Sequence, residues 1–385
     1  MFSSRVPADR EPNRLTQALR RARAAGRALL DLTVSNPTRV GLRYPPDALA
    51  PLAQPMANTY DPDPRGLPAA RAAVANELAR RGISVASDRI VLTASTSEAY
   101  SFLFKLLCSA DGDAVLVPAP SYPLFDYLTR LDGVAPRQYR LEYHGRWIVD
   151  EASVDEAWSD RVRAVLAVSP NNPTGSILSA AELQRLSERC AARGAALILD
   201  EVFADYRFLP DVASYTPAAC LTFRLGGLSK SAGLPHVKLG WIAIEGPDRL
   251  EAEALDRIEV IADTYLSVST PVQVAAPELT ACGAAIRAQI LERINGNRDR
   301  LGEIAPPGSA LEALPIEGGW SAVVRVPATQ PEEDLVLDLL ELHDVVVHPG
   351  YFFDFPHESF LVVSLLPEPA TFVEGLRRIA ERVRA

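Results

Sequence analysis

Between residues 89 and 225 the chain repeats one pattern. Short, mainly apolar runs, "RIVLTA", "AVLVPAP", "RAVLAVSP", "AALILD" and "CLTFRL", alternate with amphipathic stretches such as "SEAYSFLFKLLC", "YPLFDYLTRLDG" and "SAAELQRLSERCAARG". Apolar runs of this length are strands buried on both faces, and the stretches between them are the helices that bury them. The expected fold class is therefore α/β, with a large domain built on a mostly parallel, helix-covered sheet. Upstream, "LPAARAAVANELARRG" reads as a helix with Pro68 at its start and Gly82 past its end. From about residue 280 the texture changes. The long helical stretch "ACGAAIRAQILERINGNRDRLGEI" leads into "GGWSAVVRVP", "DVVVHPG" and "SFLVVSLL", the makings of a smaller α+β domain. The expected division is an N-terminal segment over 1–45 that joins the small domain, a large domain over 46–280, and a small C-terminal domain over 281–385.

Composition narrows the function. A chain of 385 residues exceeds one simple core. Its formal net charge is −10 and it has no lysine or arginine run, so no nucleic-acid partner is expected. The opening "MFSSRVPADREPNRL" lacks the apolar core of a signal peptide, and no apolar stretch is long enough to span a bilayer. The four cysteines are scattered without C-x-x-C spacing. The expectation is a cytoplasmic protein with no metal site, no disulfide framework and no membrane partner.

In an open α/β sheet, ligands bind beyond the carboxyl ends of the strands, and the distinctive residues follow those ends. Ser95 and Glu98 have the spacing of a capping box. A helix starting there, with the hydroxyls of Ser95, Thr96 and Ser97, would make a phosphate cup, although the same spacing serves any helix start. Tyr122 follows the next strand and is able to stack on a flat ring or to sit on a rim. Asn172, before Pro173, is held extended with its amide aimed across the sheet end, or else belongs to a plain turn. Asp200 ends an apolar strand, where a carboxylate is costly to bury unless a cation meets it. Lys230 lies in "GGLSKSAGLPHVKLGW", a tight loop poor in charge.

Singly these features are ordinary. Together, in this order along one sheet, they describe a site for pyridoxal 5′-phosphate (PLP), with a lysine for its aldehyde and an acid for its ring nitrogen. The chain resembles the class I/II aminotransferases, which share the fold-type I architecture of PLP enzymes. The resemblance runs from "LTVSNPT" to "SFLVVSLL" and rests on "NNPTG", "DEVF", "GGLSKSAGLPHVKLGW" and "VVVHPG" in that order. It implies that Lys230 forms the Schiff base and is the general base, and that Asp200 partners the ring nitrogen. It also implies that Tyr122 stacks on the ring, that Asn172 bonds the ring hydroxyl near the substrate carboxylate, and that Ser95, Thr96 and Ser97 hold phosphate. Tyr60, in "YDPDPRGLPAAR", matches a tyrosine that reaches across a homodimer to the neighbour's phosphate.

Several positions leave the family pattern. Phe203 stands where a tyrosine usually bonds the ring hydroxyl. Gly227 replaces a phosphate-binding serine, and Lys238 replaces a phosphate-binding arginine, keeping charge but losing the bidentate fork. The arginine that usually holds the substrate carboxylate falls on Val362, with His357 the only basic residue nearby. Tyr265 stands where dicarboxylate-specific relatives place a second arginine. Ser35 and Asn36 occupy the turn at the substrate carboxylate, with Arg39 and Arg43 as candidate replacements for the lost cation. The function implied is transfer of an amino group from a neutral or apolar donor, rather than a dicarboxylate, to a 2-oxo acid. The alternative is a PLP lyase, decarboxylase or cyclase on the same fold.

Overall fold

The computed structural model describes residues 2–8, 11–109, 112–209 and 219–384. In chain order, α1 (Arg14–Ala24), β1 (Leu30–Asp31) and α2 (Pro68–Arg80) precede the repeating region. That region contains β2 (Ile90–Thr93), α3 (Thr96–Leu107), β3 (Ala114–Ala119), α4 (Leu124–Asp132), β4 (Ala135–Tyr143), β5 (Trp147–Val149), α5 (Glu151–Ala157), β6 (Val162–Val168), α6 (Ala180–Ala192) and β7 (Ala196–Asp200). After it come β8 (Thr222–Gly227), the single turn α7 (Leu228–Ser231), β9 (Gly240–Glu245), α8 (Asp248–Tyr265) and α9 (Thr270–Ile304). The last part holds β10 (Glu312–Ala313), β11 (Ser321–Arg325), α10 (Glu332–His343), β12 (Val345–Val346), β13 (His348–Pro349), β14 (Phe360–Ser364) and α11 (Pro369–Arg384).

Eight strands form the central sheet, in the order β2-β9-β8-β7-β6-β3-β4-β5. Its middle is parallel, as the apolar runs predict: β4, β3, β6, β7 and β8 all run the same way. The antiparallel pairings lie towards the edges, where β9 lies between β8 and β2 and β5 folds back on β4. Every residue of β7 and β8 is buried, and the one basic residue among them, Arg224, is met by Glu201 and Glu245. The register pairs Val168 with Asp200 and Asp200 with Leu225. The carboxyl ends of β6, β7 and β8 therefore stand side by side, and the loops that follow them carry Asn172, Asp200 and Lys230.

A four-stranded antiparallel sheet, β10-β11-β14-β13, forms the second layer. The N-terminal segment is tied to this part of the chain. β1 pairs with β12, and Arg14 and Arg27 of the segment bond Glu333 and Asp344 at the two ends of α10. α9 is longer than the sequence suggests. It runs from Thr270 through Pro277 to Ile304, so the residue-280 boundary falls inside a helix. Among the described residues no helix is long and apolar enough to cross a membrane.

Candidate active site

One cavity of about 300 Å³ opens at the carboxyl ends of β6, β7 and β8. It brings together Ser35, Ser95, Thr96, Ser97, Tyr122, Asn172, Asp200, Phe203 and Lys230, residues spread over nearly 200 positions.

At one end is the N-terminus of α3. Ser95 is its N-cap, in extended backbone, and its Oγ accepts the Glu98 N–H at 3.2 Å. The reciprocal half of the expected capping box is displaced by one residue, since the Glu98 carboxylate accepts the N–H of Ala94 at 2.6 Å. The Ser95 hydroxyl thus accepts within the helix and keeps its own proton to donate. Beside it lie Ser229 and Gly227, which also line the cavity. A Cβ on Gly227 would lie 3.1 Å from the Leu239 carbonyl oxygen, and one on Gly226 would lie 2.5 Å from the Trp241 ring. Close packing of β8 on β9 leaves little room for a side chain at either glycine.

Asp200 sits deeper. Its Oδ2 accepts the Tyr100 hydroxyl at 2.6 Å and its Oδ1 accepts the Val202 N–H at 3.0 Å. Burial pushes its carboxyl above the usual range, against the pull of these hydrogen bonds and of Lys230. The adjacent Glu201 behaves oppositely. It faces away from the cavity into Arg224, whose Nη1 lies 2.6 Å from it, and Arg81 also bonds it. Burial raises this carboxyl too, but the two arginines outweigh that and hold it low. Of two neighbouring carboxylates, one is neutralised by structural partners and the other is left to face the cavity.

Lys230 sits on α7, and the Tyr206 hydroxyl donates to its backbone oxygen at 2.6 Å. Its Nζ lies 4.9 Å from the Trp320 ring centre and 5.4 Å from that of Phe203. Burial among these rings lowers its pKa to about 8, with the Asp200 charge opposing the shift. A depressed pKa means that the neutral, nucleophilic amine is present above about pH 8 and is lost as the pH falls below it. An ordinary lysine would be less than about 1% neutral at that pH. In cofactor-stripped protein, acetylation of Lys230 followed by peptide mapping should rise with a midpoint near pH 8. A midpoint above 10 would show the side chain to be solvated.

Other expected site residues lie elsewhere. Tyr60 and Tyr265 are exposed, 72% and 52% respectively. Tyr60 lines a neighbouring groove with Phe102 and Gln273, while Tyr265 packs on Phe102. Lys238 is exposed, in left-handed backbone at φ 61°, and does not line the cavity. Asn36 caps its own turn by accepting the Thr38 N–H at 3.0 Å. Val362 is the correction. It is 2% exposed, in the apolar core with Val323 and Phe353, and no residue of β14 reaches the cavity. Alternation along the strand sends Leu361 and Val363 into one core and Val362 into another. Arg39, Arg43 and His357 are exposed and outside the cavity, and no arginine lines it among the described residues.

Contributors missed by the sequence reading include Tyr100, Tyr206, Trp320 and Ser321. Tyr100 looks like part of the apolar face of α3. Trp320 and Ser321 arrive from the second sheet, with Trp320 edge-on to Phe203 and Tyr206.

The sequence profile described as "Aminotransferase class I and II" matches residues 29–379. Among curated relatives, the alanine aminotransferase of Mycobacterium bovis is 29% identical over 381 residues, covering 93% of this chain and 86% of the relative. The glutamate-pyruvate aminotransferase AlaA of Escherichia coli K12 is 25% identical, covering 95% and 91%. Among solved structures, the alanine aminotransferase from Pyrococcus furiosus superposes with a TM-score of 0.88 at 23% identity, each chain covered completely. An aspartate aminotransferase of Thermus thermophilus gives 0.84 at 22%, covering 99% of each chain. At these identities the structural matches establish the fold alone.

Proposed function

Because the chain belongs to the aminotransferase class I and II family and is an aminotransferase of fold type I, we propose that it carries PLP on Lys230 and uses it to move the amino group of alanine or a larger neutral amino acid to a 2-oxo acid. One observation carries this reading: a lysine amine of lowered pKa shares a cavity with a buried carboxylate and a helix N-terminus.

The cavity suits the cofactor. The α3 N-terminus, with its backbone N–H groups and the free proton of Ser95, offers donors to a phosphate. Asp200 offers an acceptor for a protonated ring nitrogen, and Tyr122, partly exposed at the cavity edge, offers a flat face. When bound, PLP supplies an electron-accepting ring that stabilises negative charge on the substrate carbon bearing the amino group. The chain's own residues do the rest. Lys230 holds the cofactor, then takes and returns the proton at that carbon, a task suited to an amine whose pKa lies near the working pH. Phe203, Trp320 and Leu239 wall the cavity and limit water.

The substrate side follows from what the cavity lacks. Among the described residues no arginine lines the cavity, so a second carboxylate meets no guanidinium there, which disfavours dicarboxylate donors. The apolar walls favour neutral ones, and the names of the mycobacterial and P. furiosus relatives point to alanine. The exposure of Tyr60, outside its own chain's cavity, supports the reading that it reaches the site of a second copy, and the enzyme proposed here is a cytoplasmic homodimer.

Mixing holoenzyme with a panel of amino acids, without acceptor, tests this reading. Alanine and larger neutral amino acids should each yield about one oxo acid per site and change the bound cofactor's spectrum, while aspartate yields far less. Release of ammonia with the spectrum restored would replace transfer by elimination.

A further inference from the structure

The turn that carries Lys230 cannot satisfy its own backbone. α7 is four residues long, so its last carbonyls have no following turn to bond them. Side chains from three separate segments supply donors instead. The Tyr206 hydroxyl donates to the Lys230 carbonyl at 2.6 Å, Arg287 Nη1 donates to that of Ser231 at 2.7 Å, and the Tyr44 hydroxyl donates to that of Gly233 at 2.7 Å. Arg287 belongs to α9, and residues three and four positions apart on that helix face press on the turn. A Cβ on Gly283 would collide with that of Ala232, and a Cβ on Gly233 would lie 2.6 Å from Ile286. The donors on adjacent carbonyls are themselves joined. Arg287 Nη1 also bonds Glu77 at 2.9 Å, Glu77 accepts Arg80 at 2.6 Å, and Arg80 bonds Asp205, the residue before Tyr206. Arg287 and Glu77 are buried, and none of these four charged residues lines the cavity.

We propose that Arg287 is a positioning residue: from outside the cavity it fixes the turn from which Lys230 extends, and so sets the distance over which Lys230 moves a proton. This rests on the reading of the Lys230 cavity given above. A lysine side chain is a flexible four-carbon stem, so when its amine is free to take a proton, only the backbone at its root fixes how far it reaches. Proton transfer is steep in that distance, whereas holding a substrate against the cavity walls is not. Without Arg287 the Ser231 carbonyl is left unpaired, and the turn shifts to find another donor. Glu77 keeps Arg80 as its partner, so the substitution strands no buried carboxylate.

The test compares holoenzyme variants with alanine as donor, each rate expressed per bound cofactor. Arg287→Met should lower kcat by about ten- to hundredfold, the scale of misplacing a reacting group by about 1 Å, and leave KM within about threefold, because the cavity walls are untouched. Arg287→Lys should return kcat to within about fivefold of wild type, since a single nitrogen serves both partners and an ammonium is able to stand in for it. Arg293→Met is the control. It removes from the same helix a guanidinium that bonds the Val40 and Leu366 carbonyls, and kcat should stay within about threefold. The ratio of rates for alanine carrying protium or deuterium on its α-carbon should not fall in Arg287→Met, because the slowed step is the proton transfer. In the cofactor-stripped variant, acetylation of Lys230 should keep its midpoint near pH 8. Should Arg287→Met fail to fold, Tyr206→Phe removes one neutral hydroxyl from the neighbouring carbonyl and should show the same split, with kcat down by about three- to tenfold. An unchanged kcat, a loss carried by KM, a smaller deuterium ratio or an equal loss in Arg293→Met would overturn the positioning role. A wild type that forms no oxo acid would instead overturn the reading of Lys230 on which it rests.

Discussion

Replacing Lys230 by alanine is expected to lower turnover by about four orders of magnitude, the upper end of what a positioned acid–base group contributes, because under the proposed function the same residue would also make the covalent link to the cofactor. The variant should fold. Its side chain lies among Phe203 and Trp320 at a cost in desolvation, so its loss removes a strain rather than a support. Borohydride reduction of the wild-type holoenzyme and peptide mapping should place the cofactor label on Lys230. Lys105, which bonds Ser101 and Asp132 on the surface, and Lys238 should stay unlabelled. A label on either, or an alanine variant that keeps more than about 1% of turnover, would remove Lys230 from the centre of the site.

The sequence discloses the frame of this site because the frame is built by local rules. Strands covered on both faces must be mainly apolar, so β3, β6, β7 and β8 stand out, and residues at and just past their ends are gathered by topology alone. β4 escapes because its exposed positions carry Arg137, Gln138, Arg140 and Glu142, which blur the apolar signal. β9 escapes because it begins inside the glycine-rich stretch that also carries Lys230. The missed site residues have a different cause. Tyr100 has the same apolar periodicity as its core neighbours Phe104 and Leu103, and only the placement of α3 against the sheet turns its hydroxyl to Asp200. Trp320 and Ser321 lie about 90 residues past Lys230, and no spacing rule links the two sheets. Val362 shows the reverse error. Matching a position in a strand locates a backbone, but the valine side chain is too short to leave the core it packs in.

The Asp200–Tyr100 pair carries the second large effect. Asp200→Asn keeps shape and volume. The amide oxygen still accepts the Val202 N–H, and its NH₂ group donates to the Tyr100 oxygen, so the fold and the cofactor should be retained. Under the proposed function the charge is lost where electron density would be drawn into the ring during proton transfer, and turnover should fall by about a hundredfold or more, the scale of removing one preorganised electrostatic partner. Tyr100→Phe separates charge from position. The Tyr100 hydroxyl holds the Asp200 carboxyl down against the burial that raises it, so removing it lets that pKa rise further. Protonation then sets in at higher pH, and the acid limb of the kcat profile should move upward while the alkaline limb, set by other groups, stays in place. Turnover at the optimum should fall by about tenfold, the order of one hydrogen bond to a buried charge. An Asn variant with near-normal kcat would make Asp200 a structural carboxylate. An unmoved acid limb in Tyr100→Phe would mean that another group titrates there.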